Sequence, residues 1–203
     1  MFALVDKSNN SITRLLKGNK AITLGDIQYP RAIYTLWSEA ERNAIGIYKI
    51  VYDNTNRKDE KWYINTNQSF AFANDTVTAS YGSATAKNHA DTLFTAQDEI
   101  DGLGTEGKVN VRGLKYNLIR DLKVNVANEL ARTDWYITRK AEKSTAIPSA
   151  ISTHRDLVRS RQATMETQIT GAADTAALET LHTYTITNGV QSRPLGELPV
   201  LES

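Results

Sequence analysis

The sequence predicts an α+β protein. A β-rich N-terminal part is followed by a C-terminal part with two long antiparallel helices and a short third helix. Three observations carry this. Short apolar and aromatic runs separated by Asn- and Gly-containing turns fill the first ~95 residues, the signature of strands. From Leu114 onward, apolar residues recur at helical spacing. Between the two regimes lies Gly102-Leu103-Gly104-Thr105-Glu106-Gly107, which reads as a flexible joint. The expected division is a β-rich domain over 1–100, a helical domain over 108–185 and a turn-rich tail over 186–203.

Taken in order, Phe2 to Val5 and Ser11 to Lys17 flank the turn cluster Ser8-Asn9-Asn10 and predict a first hairpin. Gly18-Asn19 closes it, and Ala21 to Leu24 starts another strand. Ile47 to Tyr52 is strongly β-prone, and Trp62-Tyr63-Ile64 and Phe70-Ala71-Phe72 are further candidates. One short helix interrupts the strands. Ser38 can cap the amide of Glu41 while Glu41 reaches back, a capping box, and Gly46 ends the helix.

In the second half, Leu114, Leu118, Leu122, Val126 and Leu130 recur every four residues and predict an amphipathic helix over about 111–132. Ile147-Pro148 opens the next helix, because proline fits a first turn where its missing donor is harmless. Ile151, Val158 and Met165 are seven apart, with Leu157 and Ile169 widening the stripe, and Gly171 stops the helix. Asp174 or Thr175 caps a third helix reaching about Tyr184. A strand over Tyr184 to Thr187 precedes the Gly- and Pro-containing tail.

Composition narrows the function classes. Lys and Arg number 24 against 23 Asp and Glu, so no global positive field exists to hold nucleic acid. The chain has no cysteine, which removes thiolate catalysis, iron–sulfur clusters and most structural zinc. An acid at Asp6 and the lack of a long apolar run argue against a signal peptide and a membrane span.

No catalytic, cofactor or metal residue is assigned. Gly102, Gly104 and Gly107 form GxGxxG, but acids precede them where a dinucleotide fold needs a buried strand. His89, His154 and His182 lack metal-ligand spacing. Asp98, Glu99 and Asp101 lack the alternation of a calcium loop and read as a solvated turn. Arg155 and Arg159 lie one turn apart, and with Arg161, Lys140 and Lys143 make this region basic; ion pairs or a solvated face are the favoured reading over a grip on phosphate or an acidic partner. Trp135 follows Thr133-Asp134 after the first long helix. It is expected in the core closing that helix end, with an interface anchor as the alternative.

The run Leu130-Ala131-Arg132-Thr133-Asp134-Trp135, then Ile147-Pro148, then His154-Arg155-Asp156-Leu157-Val158-Arg159, resembles the C-terminal region of tail-fibre assembly proteins of tailed bacteriophages. It also resembles a domain of unknown function found beside phage tail-fibre genes. Thr133, Asp134, Trp135, Pro148, Arg155 and Arg159 match that pattern, and His154 stands where tyrosine is usual. Trp37-Ser38-Glu39-Ala40-Glu41-Arg42 is a weaker similarity. The tail has Leu198-Pro199 where the family often ends in Trp-Pro, and residues 53–110 match nothing in it. The resemblance implies a non-enzymatic structural protein of the tail, tail fibre or neck. It would be made in the host cytoplasm and held in the virion by contacts with other phage proteins and with copies of itself, without nucleic acid, membrane or cofactor. The alternative it leaves is a fibre-assembly chaperone absent from the mature particle.

Overall fold

A computed structural model describes residues 1–201, which form two compact units, Met1–Thr85 and the remainder from Ala86. The fold is α+β, as the sequence predicts.

The first unit contains β1 (Phe2–Asp6), β2 (Ser11–Leu16), β3 (Ile22–Leu24), β4 (Ile27–Tyr29), α1 (Ile33–Leu36), α2 (Glu39–Ala44), β5 (Ile47–Asp53), β6 (Tyr63–Ile64), β7 (Ser69–Ala73) and β8 (Thr76–Ser80). The division between the units falls within β9 (Thr85–Ala86). Five strands form one sheet in the order β2-β1-β5-β8-β7, antiparallel except for the parallel pair β5 and β8. The sheet curls into a half-barrel, and its edge strands β2 and β7 approach each other.

The period-2 pattern explains why both faces are covered. Ala3, Val5, Tyr48, Ile50, Val77 and Ala79 point to one face, where Ile12, Phe70 and Phe72 pack on them. Phe2, Leu4 and Ile47 point to the other, against Ile22, Ile33, Tyr34 and Trp37. Tyr34, Tyr48, Trp62 and Tyr63 are buried.

The capping box at α2 is present as read: the Glu41 amide donates to Ser38 Oγ, and the Glu41 carboxylate accepts from the Ser38 amide. Trp37, just before it, is half-buried with its ring edge-on to Tyr29. Gly46 ends the helix at φ +80°, and a Cβ there would sit 2.7 Å from the Val5 carbonyl oxygen. That oxygen neighbours the amide that bonds Gly46 itself, so the turn locks β1 to the helix end.

The second unit holds β10 (Thr92–Leu93), α3 (Ala96–Ile100), β11 (Val109–Val111), α4 (Leu114–Ala131), α5 (Asp134–Lys143), α6 (Ser149–Gly171), α7 (Thr175–His182), β12 (Thr185–Thr187) and β13 (Val190–Ser192). The long helices α4 and α6 are antiparallel. Lys115 at the start of α4 donates to the Thr170 carbonyl at the end of α6, and Glu129 near the end of α4 meets His154 near the start of α6. Leu122 and Val126 are buried against Ile151, Val158, Met165 and Ile169, the predicted stripes. Leu157 departs from its stripe and is exposed. Pro148 stands one position before α6 as its N-cap, and Asp174 caps α7.

Several elements depart from the sequence reading. The Gly102–Gly107 segment is not the joint between the compact units, whose division falls after Thr85. It closes the β10–β11 hairpin: the Gly107 amide bonds the Phe94 carbonyl, and the Glu106 amide bonds the Glu99 carboxylate. The acids read as a solvated turn include Asp98, which caps α3 in a second capping box with Thr95. Between the two long helices stands a further helix, α5, that the sequence reading did not predict. The expected tail from residue 186 begins inside β12, and its last two residues lie outside the described residues.

Asp91 fixes the start of α4. Its carboxylate accepts from the Gly113 amide at 2.8 Å and from Arg112 at 2.6 Å, and these bonds hold its pKa below the usual carboxylate value. A depressed folded pKa gives stability that is present above the unfolded value of about 3.9 and is lost as pH falls through the lower folded one. The Asp91→Asn variant is expected to lack this part of the acid limb of a stability-versus-pH curve. A second expectation concerns Gly46: Gly46→Ala should cost about 2 kcal/mol or more in denaturant melts, from left-handed strain and the clash with Val5.

Candidate protein-binding site

The end of α4 is where the recognised run folds into a single object. The last carbonyls of a helix have no partner within it and carry partial negative charge. Here the Leu130 carbonyl accepts from the Thr133 amide at 3.0 Å, the Thr133 hydroxyl at 3.0 Å and Arg155 Nη1 at 2.8 Å. The same Nη1 donates to Thr133 Oγ1 at 2.7 Å and pairs with Asp134 Oδ1 at 2.9 Å. Thr133 and Arg155 are both buried, while Asp134 is exposed in the first turn of α5, where a carboxylate suits the helix dipole.

The neighbouring residue of α6 extends the grip. His154 is buried and meets Glu129 at 3.1 Å, and Glu129 also accepts from Arg132. One turn of α6 thus holds the last turn of α4 and the first of α5. The basic centre read from the sequence is partly internal: Arg155 serves this clamp, and Arg161 donates to the Leu195 and Glu197 carbonyls of the tail. Arg159 remains exposed and pairs with Asp156 at 3.3 Å.

Trp135 corrects the expectation of a core residue: it is 51% exposed. Thr133 is the residue that buries at the helix end, and the turn it makes sends the next-but-one side chain outward. The Trp135 ring lies against Tyr136, with centroids 3.7 Å apart, and the Arg139 guanidinium sits over both rings at 4.7 and 5.2 Å. Ile137 is exposed beside them. Trp, Tyr and Arg are the side chains that most often dominate binding at protein interfaces.

No family model, curated protein or solved structure matches the chain.

The structure thus brings Thr133, Asp134 and Arg155 together, places Trp135 on the outer side of the same turn, and leaves Pro148 to cap α6. Trp37 belongs to the first unit's core. Sequence reasoning missed Tyr136 and Arg139. Their signal was the spacing Trp135/Arg139 and Tyr136/Arg139, four and three residues, which places them on one helix face once 134–143 is read as helical. In the first unit a cleft of about 640 Å³ is lined by Arg14, Lys17, Lys20 and Tyr34, among others.

Truncating the clamp and the platform should have opposite consequences. Arg155→Met is expected to destabilise the chain by about 3 kcal/mol, because it strips the partners from buried polar groups. Trp135→Ala should leave the unfolding temperature nearly unchanged, within about 0.5 kcal/mol in stability, as for a surface substitution. Thermal melts of the two variants check this.

Proposed function

We propose that this chain is a non-enzymatic structural protein of a bacteriophage particle, in the tail, tail fibre or neck, that acts through protein–protein contacts. One observation carries the reading. Of the residues that resemble the tail-fibre assembly family, Thr133, Asp134, Trp135 and Arg155 form one local arrangement whose polar members clamp three helices and whose tryptophan faces outward, while Pro148 caps α6 and Arg159 pairs with Asp156 outside it. A packing role alone would bury the largest apolar side chain of the run, whereas Trp135 is half exposed. A run that builds a rigid platform for an aromatic anchor suits recognition of another protein.

Other features support the same role. His154 and Arg155, the residues best suited by type to proton transfer or anion binding in this region, are engaged in the clamp. Among the described residues no helix is long and apolar enough to cross a membrane. In this reading the protein is made in the host cytoplasm, joins the virion in several copies, and contacts fibre, tail or neck proteins through the Trp135 platform.

Mass spectrometry of purified particles tests it. The chain should be found there at a stoichiometry of several copies, and Trp135→Ala should reduce its incorporation while the isolated variant stays folded. If the chain is missing from particles and its deletion leaves fibres misfolded, it is an assembly chaperone. If it is missing and deletion leaves fibre assembly intact, both readings fail.

A further inference from the structure

The charge of the whole chain is close to balance, but its basic residues are not spread evenly. Between Lys7 and Ser38 the sequence has Lys7, Arg14, Lys17, Lys20 and Arg31 against one acid, Asp26. The fold gathers three of these cations. Arg14, Lys17 and Lys20 line the cleft of about 640 Å³ in the first unit, and no Asp or Glu lines it with them. Among the described residues these three side chains make no ion pair and no hydrogen bond. Elsewhere in the chain, by contrast, Arg155 and Arg161 are committed to backbone or side-chain acceptors.

The local sequence explains how the cleft is built. The two-residue period of β2 puts Arg14 on the same face as Leu16, and Leu16 packs against the cluster of Ile22 and Tyr34. Arg14 therefore stands beside an apolar floor. Lys17 and Lys20 follow on the connection from β2 to β3. Within it Gly18 has φ +71°, and a Cβ there would lie 2.9 Å from the Phe2 ring. That close approach seats the connection on the core and fixes the backbone that carries both lysines. The amides of Gly18, Asn19, Lys20 and Ala21 make no hydrogen bond among the described residues, so backbone donors stand beside the cations.

The floor holds a polar group that the chain leaves unsatisfied. Tyr34 is 8% exposed, yet its hydroxyl makes no hydrogen bond among the described residues. A phenol buried to this extent normally has a partner. Burial raises the Tyr34 pKa and the charge of Arg14 offsets that rise only in part, so the phenol keeps its proton and is a donor. A cleft that presents positive charge and donors, without a carboxylate of its own, selects an anion.

The number of cations says which anion. A lone carboxylate carries one negative charge and is matched by one arginine. Three cations and a phenol match a phosphate monoester, which carries about −1.5 to −2 charges at neutral pH on three acceptor oxygens. The cleft also lies within the size range of small-molecule sites, about 300–1,000 Å³. It leaves room for an organic body beyond the phosphate, and Leu16 and Ile22 give that body an apolar wall.

We propose that this cleft binds the phosphate monoester of a small soluble molecule, with Arg14, Lys17 and Lys20 neutralising the phosphate and the Tyr34 hydroxyl donating to one of its oxygens. The site lies within the first unit, and its test is independent of the assembly role.

The measurement is an NMR titration of the full chain at fixed ionic strength, following the amides of residues 17–21. Phenyl phosphate should saturate the shifts and bind more tightly than inorganic phosphate, which lacks an organic body. Tyr34→Phe removes only the hydroxyl and should weaken phenyl phosphate by about tenfold, the loss of one hydrogen bond to a charged group. Lys17→Gln/Lys20→Gln should weaken it by at least about tenfold while keeping the parent's melting temperature, since both lysines are exposed. The proposal is overturned if phenyl phosphate gives no saturable shift, or binds no more tightly than inorganic phosphate or glutarate. Binding that either variant leaves unchanged also overturns it, as does binding confined to single-stranded DNA or to phosphatidate vesicles.

Discussion

The helical unit depends on the burial of one charge. Arg155 sits inside the contact between α4, α5 and α6, where an unpaired guanidinium would be prohibitively costly. It is tolerated because the end of α4 supplies what it needs: the Leu130 carbonyl, the Thr133 hydroxyl and the Asp134 carboxylate. The dependence is mutual. The Leu130 carbonyl is one of the four that a helix end leaves without partners, and Thr133 and Arg155 satisfy it together. The chain must therefore turn at Thr133, and that turn decides where α5 begins and which of its side chains face solvent. The outward position of Trp135 is thus a consequence of where the polar residues beside it are buried.

A second arginine on the same helix plays a similar part. Arg161 holds two carbonyls of the turn around Gly196, as Arg155 holds the end of α4. α6 thereby acts as a spine from which two exposed features are positioned, the aromatic platform on α5 and the hairpin of β12 and β13. Guanidinium groups suit this work, since their donors are fixed in a plane and their charge is lightly hydrated. The composition is ordinary in net charge, yet part of its basic content is committed to holding backbone rather than to meeting a ligand.

Much of the fold was legible in the sequence because its signals are local. The capping box Ser38/Glu41, the stop at Gly46, the four-residue recurrence from Leu114 to Leu130 and the proline ahead of α6 each depend on neighbours within a few positions. What escaped depended on distant partners. β8, Thr-Val-Thr-Ala-Ser, has β-prone residues but only one large apolar side chain, Val77, and is a central strand because it pairs with both β5 and β7. The glycines of 102–107 suggested a joint, but Gly104 lies so close to the Phe94 ring that a Cβ would reach 2.5 Å from it, as in a closed loop. The residues of the site were legible as a set and misassigned in role. Aromatic size favoured burying Trp135, whereas the donors and acceptors of Thr133 and Arg155, twenty-two residues apart, claimed the interior.

The central claim is that Thr133 and Arg155 act as one unit. A double-mutant cycle measures it: the stabilities of the parent, Thr133→Val, Arg155→Met and the double variant, from denaturant unfolding. The account predicts a coupling of about 1–3 kcal/mol, with the double variant far less destabilised than the two single losses added together. Additive losses would mean that the two residues contribute independently, and the clamp as described would be contradicted.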